Sequence, residues 1–287
     1  MSLATQAVWI IERNSERDLT LSGIAKACGV SRSHLANAFG TATGVSVMHY
    51  LRSRRLSEAA KALACGAPDI LAVALDAGYA SHEAFTRAFR DHFGATPERV
   101  RERGSVGGLP IVAPFELKPE TIVRLEPPRY VKSGTLRIVG LSEPFSWETS
   151  IKIPAQWQRF MPYFNSIDTR APIPVGACFL SNDEDEFEYV CAAEVARFGD
   201  HPPELVKREI PPTTYAVFEH RVHVSKLGET YTAIWNRILP ELGLSQADSA
   251  VLERHNESFN PNTGNGGVTI WIPLGERHQP EEANNAR

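Results

Sequence analysis

Four cysteines and three methionines are scattered through 287 residues, and no two cysteines form a C-x-x-C pair. Cys28, Cys65, Cys178 and Cys191 therefore signal neither a zinc site nor a disulfide framework, and they read as small apolar residues or free thiols. No stretch approaches the roughly 18 apolar residues of a membrane span. The N-terminus, where Glu12 and Arg13 soon follow a short apolar run, lacks the basic start and small-residue cleavage site of a secretory leader. No Ser-His-Asp or metal-ligand arrangement is visible, so no metal, cofactor or catalytic residue is expected. The expected setting is cytoplasmic, without a membrane partner.

What the chain does have is asymmetry. Its net charge of −4 conceals 13 Lys and Arg against 10 Asp and Glu in residues 1–108, and 17 against 24 in the remainder. A mildly basic first part suits a polyanion and an acidic second part does not. Composition changes at the same place. "RERGSVGGLPIVAP" gathers Gly, Pro and Ser between an Ala/Leu-rich region and one rich in Val, Ile, Phe and Pro, which places a linker at 109–117.

The first region repeats itself. Ile24, Ala25 and Gly29 recur as Val73, Ala74 and Gly78 at an offset of 49, and Ser31, Leu35, Phe39 and Gly44 recur as Ser81, Phe85, Phe89 and Gly94 at an offset of 50. Each copy predicts a short helix stopped by a glycine, then a serine-capped helix with apolar anchors at Leu35, Ala38 and Phe39 or at Phe85, Ala88 and Phe89. That is a duplicated helix-turn-helix. Between the copies, "SVMHYLRSRRLSEAAKALACG" predicts a helix capped by Ser46, stopped by Gly66 and Pro68, and about 28 Å long at roughly 1.5 Å per residue. Two reading helices reach one face of DNA when roughly 34 Å apart, so this spacer suits one chain spanning two adjacent major-groove segments.

"IAKACGVSRSHLANAFGTATG", "LRSRRLSEAAKAL" and above all "VALDAGYASHEAFTRAFRDHFGATPERVR" resemble the two-motif DNA-binding domain of AraC/XylS transcription factors over residues 5–103. In most of that family this domain is C-terminal, whereas here it comes first. The resemblance implies double-stranded DNA as partner, with RNA polymerase as a further one. It implies DNA contacts from Arg32, Ser33, Ala36 and Asn37 in the first motif, and from His82, Glu83, Thr86 and Arg87 in the second. Arg and Asn suit bidentate contacts to guanine and adenine, Glu can accept from cytosine, and Thr can touch a thymine methyl. Arg87 serves a base, a phosphate or the fold. Arg52, Arg54, Arg55 and Arg90 suit phosphate contacts or structural ion pairs. The reading face of the first copy is smaller than that of the second, which is therefore expected to supply more of the affinity.

The second region predicts strands at "TIVRLEPPRYVKSGTLRIVGL", "VGACFL", "FEYVCAAEV", "TTYAVFEHRV" and "GVTIWIPL". Helices are predicted at "AQWQRFMPYFN" and "LGETYTAIWNRILPEL". The order β-α-β-β, twice, gives an α+β domain with antiparallel sheet after the all-α domain. These segments, with the acidic turn "NDEDEF", resemble the GyrI-like effector-binding domain over 118–275, leaving a polar tail at 276–287 expected to be disordered. The domains are thus 1–108, 118–275 and the linker between them.

That resemblance implies a small-molecule effector, drug-like or metabolic, in a groove. Candidate lining aromatics in this half are Trp147, Trp157, Tyr163, Tyr189, Phe218, Tyr231, Trp235 and Trp271, with Trp147, Trp157, Tyr163, Tyr189 and Trp235 favoured and Glu253 as the carboxylate that favours a cation. His255 stands where relatives commonly carry an aromatic. The aromatics serve either a ligand or the core. The alternatives to an effector site are hydrolysis of a small electrophile by Glu253 with His255, and a surface for a partner protein.

Overall fold

The computed structural model describes residues 1–14, 19–116, 123–180, 185–260 and 263–275. The tail at 276–287 and the acidic turn through residue 184 lie outside the described residues. Among the described residues, seven helices come first: α1 (Leu3–Asn14), α2 (Leu21–Ala27), α3 (Arg32–Thr43), α4 (Val47–Ala64), α5 (Ile70–Asp76), α6 (His82–Phe93) and α7 (Pro97–Arg103). The duplicated signals do the same work in both copies. Ser31 accepts from the His34 amide at 3.1 Å and Ser81 from the Ala84 amide at 3.2 Å. Gly29 and Gly78 turn the chain with φ of 72° and 82°, values at which a side chain is strained.

The long helix α4 joins two separate cores. Its first turns bury Val47, Tyr50 and Leu51 with residues of α1–α3, and its last turns bury Leu56, Ala59, Ala60 and Leu63 with α5–α7. The expected linker is a strap along α4. Leu109 and Ile111 pack on the second core, the Val112 amide donates to Ser57 Oγ at 3.0 Å, and Phe115 stacks on Tyr50 at 4.6 Å and 17°.

In the second region the described residues form one eight-stranded antiparallel sheet built from β1 (Arg129–Ser133), β2 (Leu136–Phe145), β3 (Val175–Leu180), β4 (Phe187–Val195), β5 (Val206–Ile210), β6 (Thr213–His220), β7 (Val251–His255) and β8 (Val268–Pro273). The strand order is β1-β6-β8-β7-β3-β4-β2-β5. It is palindromic: exchanging the repeats swaps β1 with β5, β6 with β2, β8 with β4 and β7 with β3. The duplication read in the sequence is therefore a two-fold arrangement centred on the β3–β7 pair. β5 and β7 lie outside the strands predicted above: "VKREI" sets three consecutive charges between two apolar residues, and "VLERH" has only two apolar residues, so neither carries a period-2 apolar signal. Only Pro211 and Pro212 separate β5 from β6, which stand near opposite ends of the sheet. Two residues span less than about 10 Å, so the sheet must curl until its edges approach. Ile210 and Tyr215 accordingly share one buried cluster on its inner face.

The outer face carries the helices. α8 (Ile153–Phe164) covers the first repeat, and α9 (Leu227–Ala233) covers the second, passing through a π-helical turn (Ile234–Ile238) into the short α10 (Leu239–Glu241). The core beneath α9 does not stop at the domain boundary: Phe218, Ile234, Trp235, Leu239, Val251 and Ile270 are continuous with Leu3, Ile11, Leu35 and Phe39 of the first helix-turn-helix. No helix among the described residues is long and apolar enough to cross a membrane.

Candidate functional site

Glu253 is placed by strand pairing. On β7 it lies opposite Gly176 of β3, on the sheet face that carries the helices. Tyr189, diagonally across on β4, leans over Gly176 and donates its hydroxyl to Glu253 Oε2 at 2.6 Å. Tyr231 of α9 donates to Oε1, also at 2.6 Å. Each carboxylate oxygen thus accepts from one phenol. Burial and the nearby Glu253 charge push both phenols well above the ordinary tyrosine range, so they stay neutral donors.

Aromatic walls surround this carboxylate. Trp157 of α8 donates Nε1 to the Tyr189 hydroxyl at 3.3 Å and stands edge-on to His255 at 5.4 Å. Burial lowers the His255 pKa, with the Glu253 charge opposing, so the ring favours its neutral form. Phe259 lies 4.1 Å from His255. None of the recorded partners of Glu253 among the described residues is a Lys or Arg. A carboxylate therefore stands among aromatic rings.

Of the favoured lining residues, Trp157, Tyr189 and Glu253 come together. Three others do not. Trp147 lies against Gly40 of α3 and Phe187. Tyr163 packs on the core beneath α8, because the helix turns it toward that side. Trp235 stacks on Tyr231, yet its N–H is spent on Gln246 Oε1 at 2.8 Å, away from the carboxylate. Tyr231 and His255 complete the site. Tyr231 and Trp235, at i and i+4 in one helical segment, carried a legible pairing signal.

The expected DNA-reading residues divide sharply. In α6, Glu83 and Arg87 are exposed, Thr86 is half-buried, and half-buried His82 lies 3.2 Å from Glu98. In α3 only Arg32 is exposed. Ser33, Ala36 and Asn37 are 2%, 6% and 5% exposed, because the second domain covers them. Ser33 Oγ donates to Asp248 Oδ1 at 3.0 Å and Asn37 Nδ2 to Gln246 Oε1 at 2.9 Å. This corrects the expectation that all four present themselves to DNA. Around them the Ser31 hydroxyl donates to the Gln246 carbonyl at 2.6 Å, His34 Nε2 to the Trp235 carbonyl at 2.9 Å, and Asn236 Nδ2 to the Ala38 carbonyl at 2.8 Å. Gln246, Asp248 and Asn236 carried no sequence signal, since their partners lie some 200 residues away.

The arginines of α4 also resolve. Arg54 is 7% exposed and joins Glu12 through two hydrogen bonds of 2.9 Å, with Glu58 and the Val112 carbonyl as further partners. It is a structural cation. Arg52 pairs with Asp185 of the second domain.

Compared with known proteins, residues 24–103 match the helix-turn-helix domain family and residues 126–274 the GyrI-like small molecule binding domain family. The chain is similar to the right origin-binding protein of Escherichia coli K12, 24% identical over 93% of this chain and 94% of that protein. It is also similar to the regulatory protein SoxS of Salmonella typhimurium, 36% identical over 35% of this chain and 94% of that protein. Among solved structures, an AraC-type regulator from Chromobacterium violaceum is 31% identical, covering 37% of this chain and 95% of its own, with a TM-score of 0.35.

Proposed function

Because the chain belongs to the GyrI-like small-molecule-binding family and carries an AraC-type helix-turn-helix domain ahead of it, it is a DNA-binding transcription regulator, and we propose that a cationic, aromatic effector acts on it through the groove around Glu253. The observation that carries this reading is the Tyr189–Glu253–Tyr231 clamp. A carboxylate gripped by two phenols, with rings on several sides, attracts a delocalised cation by charge and by the faces of the rings. Hydrolysis is less well served, because each Glu253 oxygen already accepts a phenol and His255 sits edge-on to Trp157 rather than on Glu253.

On the DNA side, His82, Glu83, Thr86 and Arg87 of α6 are the residues offered to a major groove, and RNA polymerase is the machinery such a regulator addresses. Thermal-shift titration with tetraphenylphosphonium tests the groove. The wild-type chain is stabilised with rising concentration and Glu253→Gln is not. Equal stabilisation of the two proteins would reject the cation site.

A further inference from the structure

The internal repeat supplies its own comparison. The outward stripe of α3 is Ser33, Ala36, Asn37 and Gly40, at i, i+3, i+4 and i+7, and an offset of 50 places it on Glu83, Thr86, Arg87 and Arg90 of α6. The α6 stripe carries long, charged side chains, and Glu83, Arg87 and Arg90 are exposed. The α3 stripe carries nothing longer than asparagine and is buried throughout. Base reading needs donors and acceptors that reach a base edge, which serine, alanine and glycine on a covered helix do not supply.

The small residues have a second use, which is to let another surface approach. A Cβ at Gly40 would sit 2.0 Å from the Trp147 ring, so this position is tolerable only as glycine while Trp147 lies there. Gln246 Oε1 accepts at once from Asn37 and from Trp235, tying the stripe to the helix that covers the second repeat. Thr232 donates to the Thr41 carbonyl, and Asn236 satisfies both the Ala38 carbonyl and the Ala4 amide. Beneath these bonds runs one apolar core shared by α1, α3, α9 and the sheet. Separating the two parts would open a core and would not merely lift a lid.

We propose that α3 is the helix by which the effector domain is fastened to the chain, and that α6 alone reads bases, so that one chain specifies a single major-groove segment. This rests on the regulator function above. The first helix-turn-helix and the second domain then form one body, from which the second helix-turn-helix projects on the far half of α4.

The test selects binding sites for the full-length chain from a random duplex library and measures stability separately. One block of preferred bases, within about half of a 10-bp turn, is expected. Asn37→Ala and Ser33→Ala select the same block, and Arg87→Ala and Thr86→Ala relax it. A second block one turn away, or a block altered by Asn37→Ala, overturns the proposal. Gly40→Ala reads the seam without DNA: a lower melting temperature is expected, whereas an exposed helical glycine would give a higher one on becoming alanine, and that result overturns the docking of α3. No preferred block from any protein would overturn the DNA-reading function itself, whatever Gly40→Ala shows of the seam.

Discussion

The rings of Tyr231 and Trp235 lie 4.7 Å apart and within 10° of parallel, one helical turn from each other, and their polar tips serve two different parts of the molecule. The Tyr231 hydroxyl donates to Glu253 in the groove, and the Trp235 N–H donates to Gln246 at the seam with α3. The π-helical turn that begins at Ile234 lies under this pair. Such turns often mark functional positions, because they re-aim side chains that a regular helix would point elsewhere.

Two substitutions separate the hydroxyl from the ring. Tyr231→Phe removes a hydrogen bond to a charged group and should lower stability by about 2 kcal/mol. Tyr231→Ala also removes the stack against Trp235, and should cost about 3–5 kcal/mol. Urea unfolding midpoints of the two variants check this. Equal losses would mean that the stack contributes nothing.

His34 makes the seam sensitive to acid. It is fully buried, and its Nε2 proton is used on the Trp235 carbonyl. Burial lowers its pKa from 6.5 to about 4, with the hydrogen bond to the Trp235 carbonyl opposing. Between those values the unfolded chain holds a proton that the folded chain does not, so stability is intact above pH 6.5 and falls as the pH drops toward 4. The full difference amounts to roughly 3 kcal/mol. In His34→Gln, whose amide can still donate to that carbonyl, the acid-dependent loss should shrink by about this amount. Identical pH profiles of the two proteins would contradict the assignment.

Arg54 is predicted to matter for stability and not for DNA. Burial alone would raise the Glu12 pKa, but the hydrogen bonds from Arg54 and Tyr50 outweigh it and hold this carboxylate below the ordinary range. Arg54→Met leaves Glu12 without its cation and frees the strap at Val112. The expected cost is about 2–3 kcal/mol, below the usual figure for breaking a buried pair because Glu12 is a quarter exposed. The Glu12 contribution is present above the unfolded carboxylate pKa and is lost as pH falls through the lower folded one, so the variant should also lose less on acidification. DNA affinity changing more than stability would mark Arg54 as a phosphate contact instead.

The parts of the molecule that were legible in the sequence are those set by local rules. Ser31 and Ser81 cap, Gly29 and Gly78 stop, and the repeated apolar anchors Leu35 and Phe85 point inward because helical periodicity leaves them no other side. The doubled β-α-β-β order was legible for the same reason. Glu253 and Tyr189 could be named as groove residues through a family resemblance, but their contact depends on register across β4, β3 and β7. The seam was illegible. That Ser33 and Asn37 face Asp248 and Gln246 follows from the docking of two domains, and the only trace in the sequence was the small size of the α3 stripe, which reads equally well as a weak DNA contact.

Gly176 offers the sharpest test of how the groove is built. A glycine inside a strand weakens it, and often marks a place where something must approach closely. Here a Cβ would lie 2.2 Å from the Tyr189 hydroxyl and 2.9 Å from the ring carbon bearing it. Gly176→Ala therefore forces Tyr189 off Glu253 and away from the Trp157 N–H. It should lower stability by about 1–3 kcal/mol and abolish stabilisation by tetraphenylphosphonium, while DNA affinity in the absence of the cation is unchanged. Adding Tyr189→Phe removes the atom that is struck, so the double variant should be more stable than the sum of the single losses predicts, without regaining cation binding. Strictly additive losses would show that the glycine makes room for something other than Tyr189, and the clamp on Glu253 would then lose its structural basis.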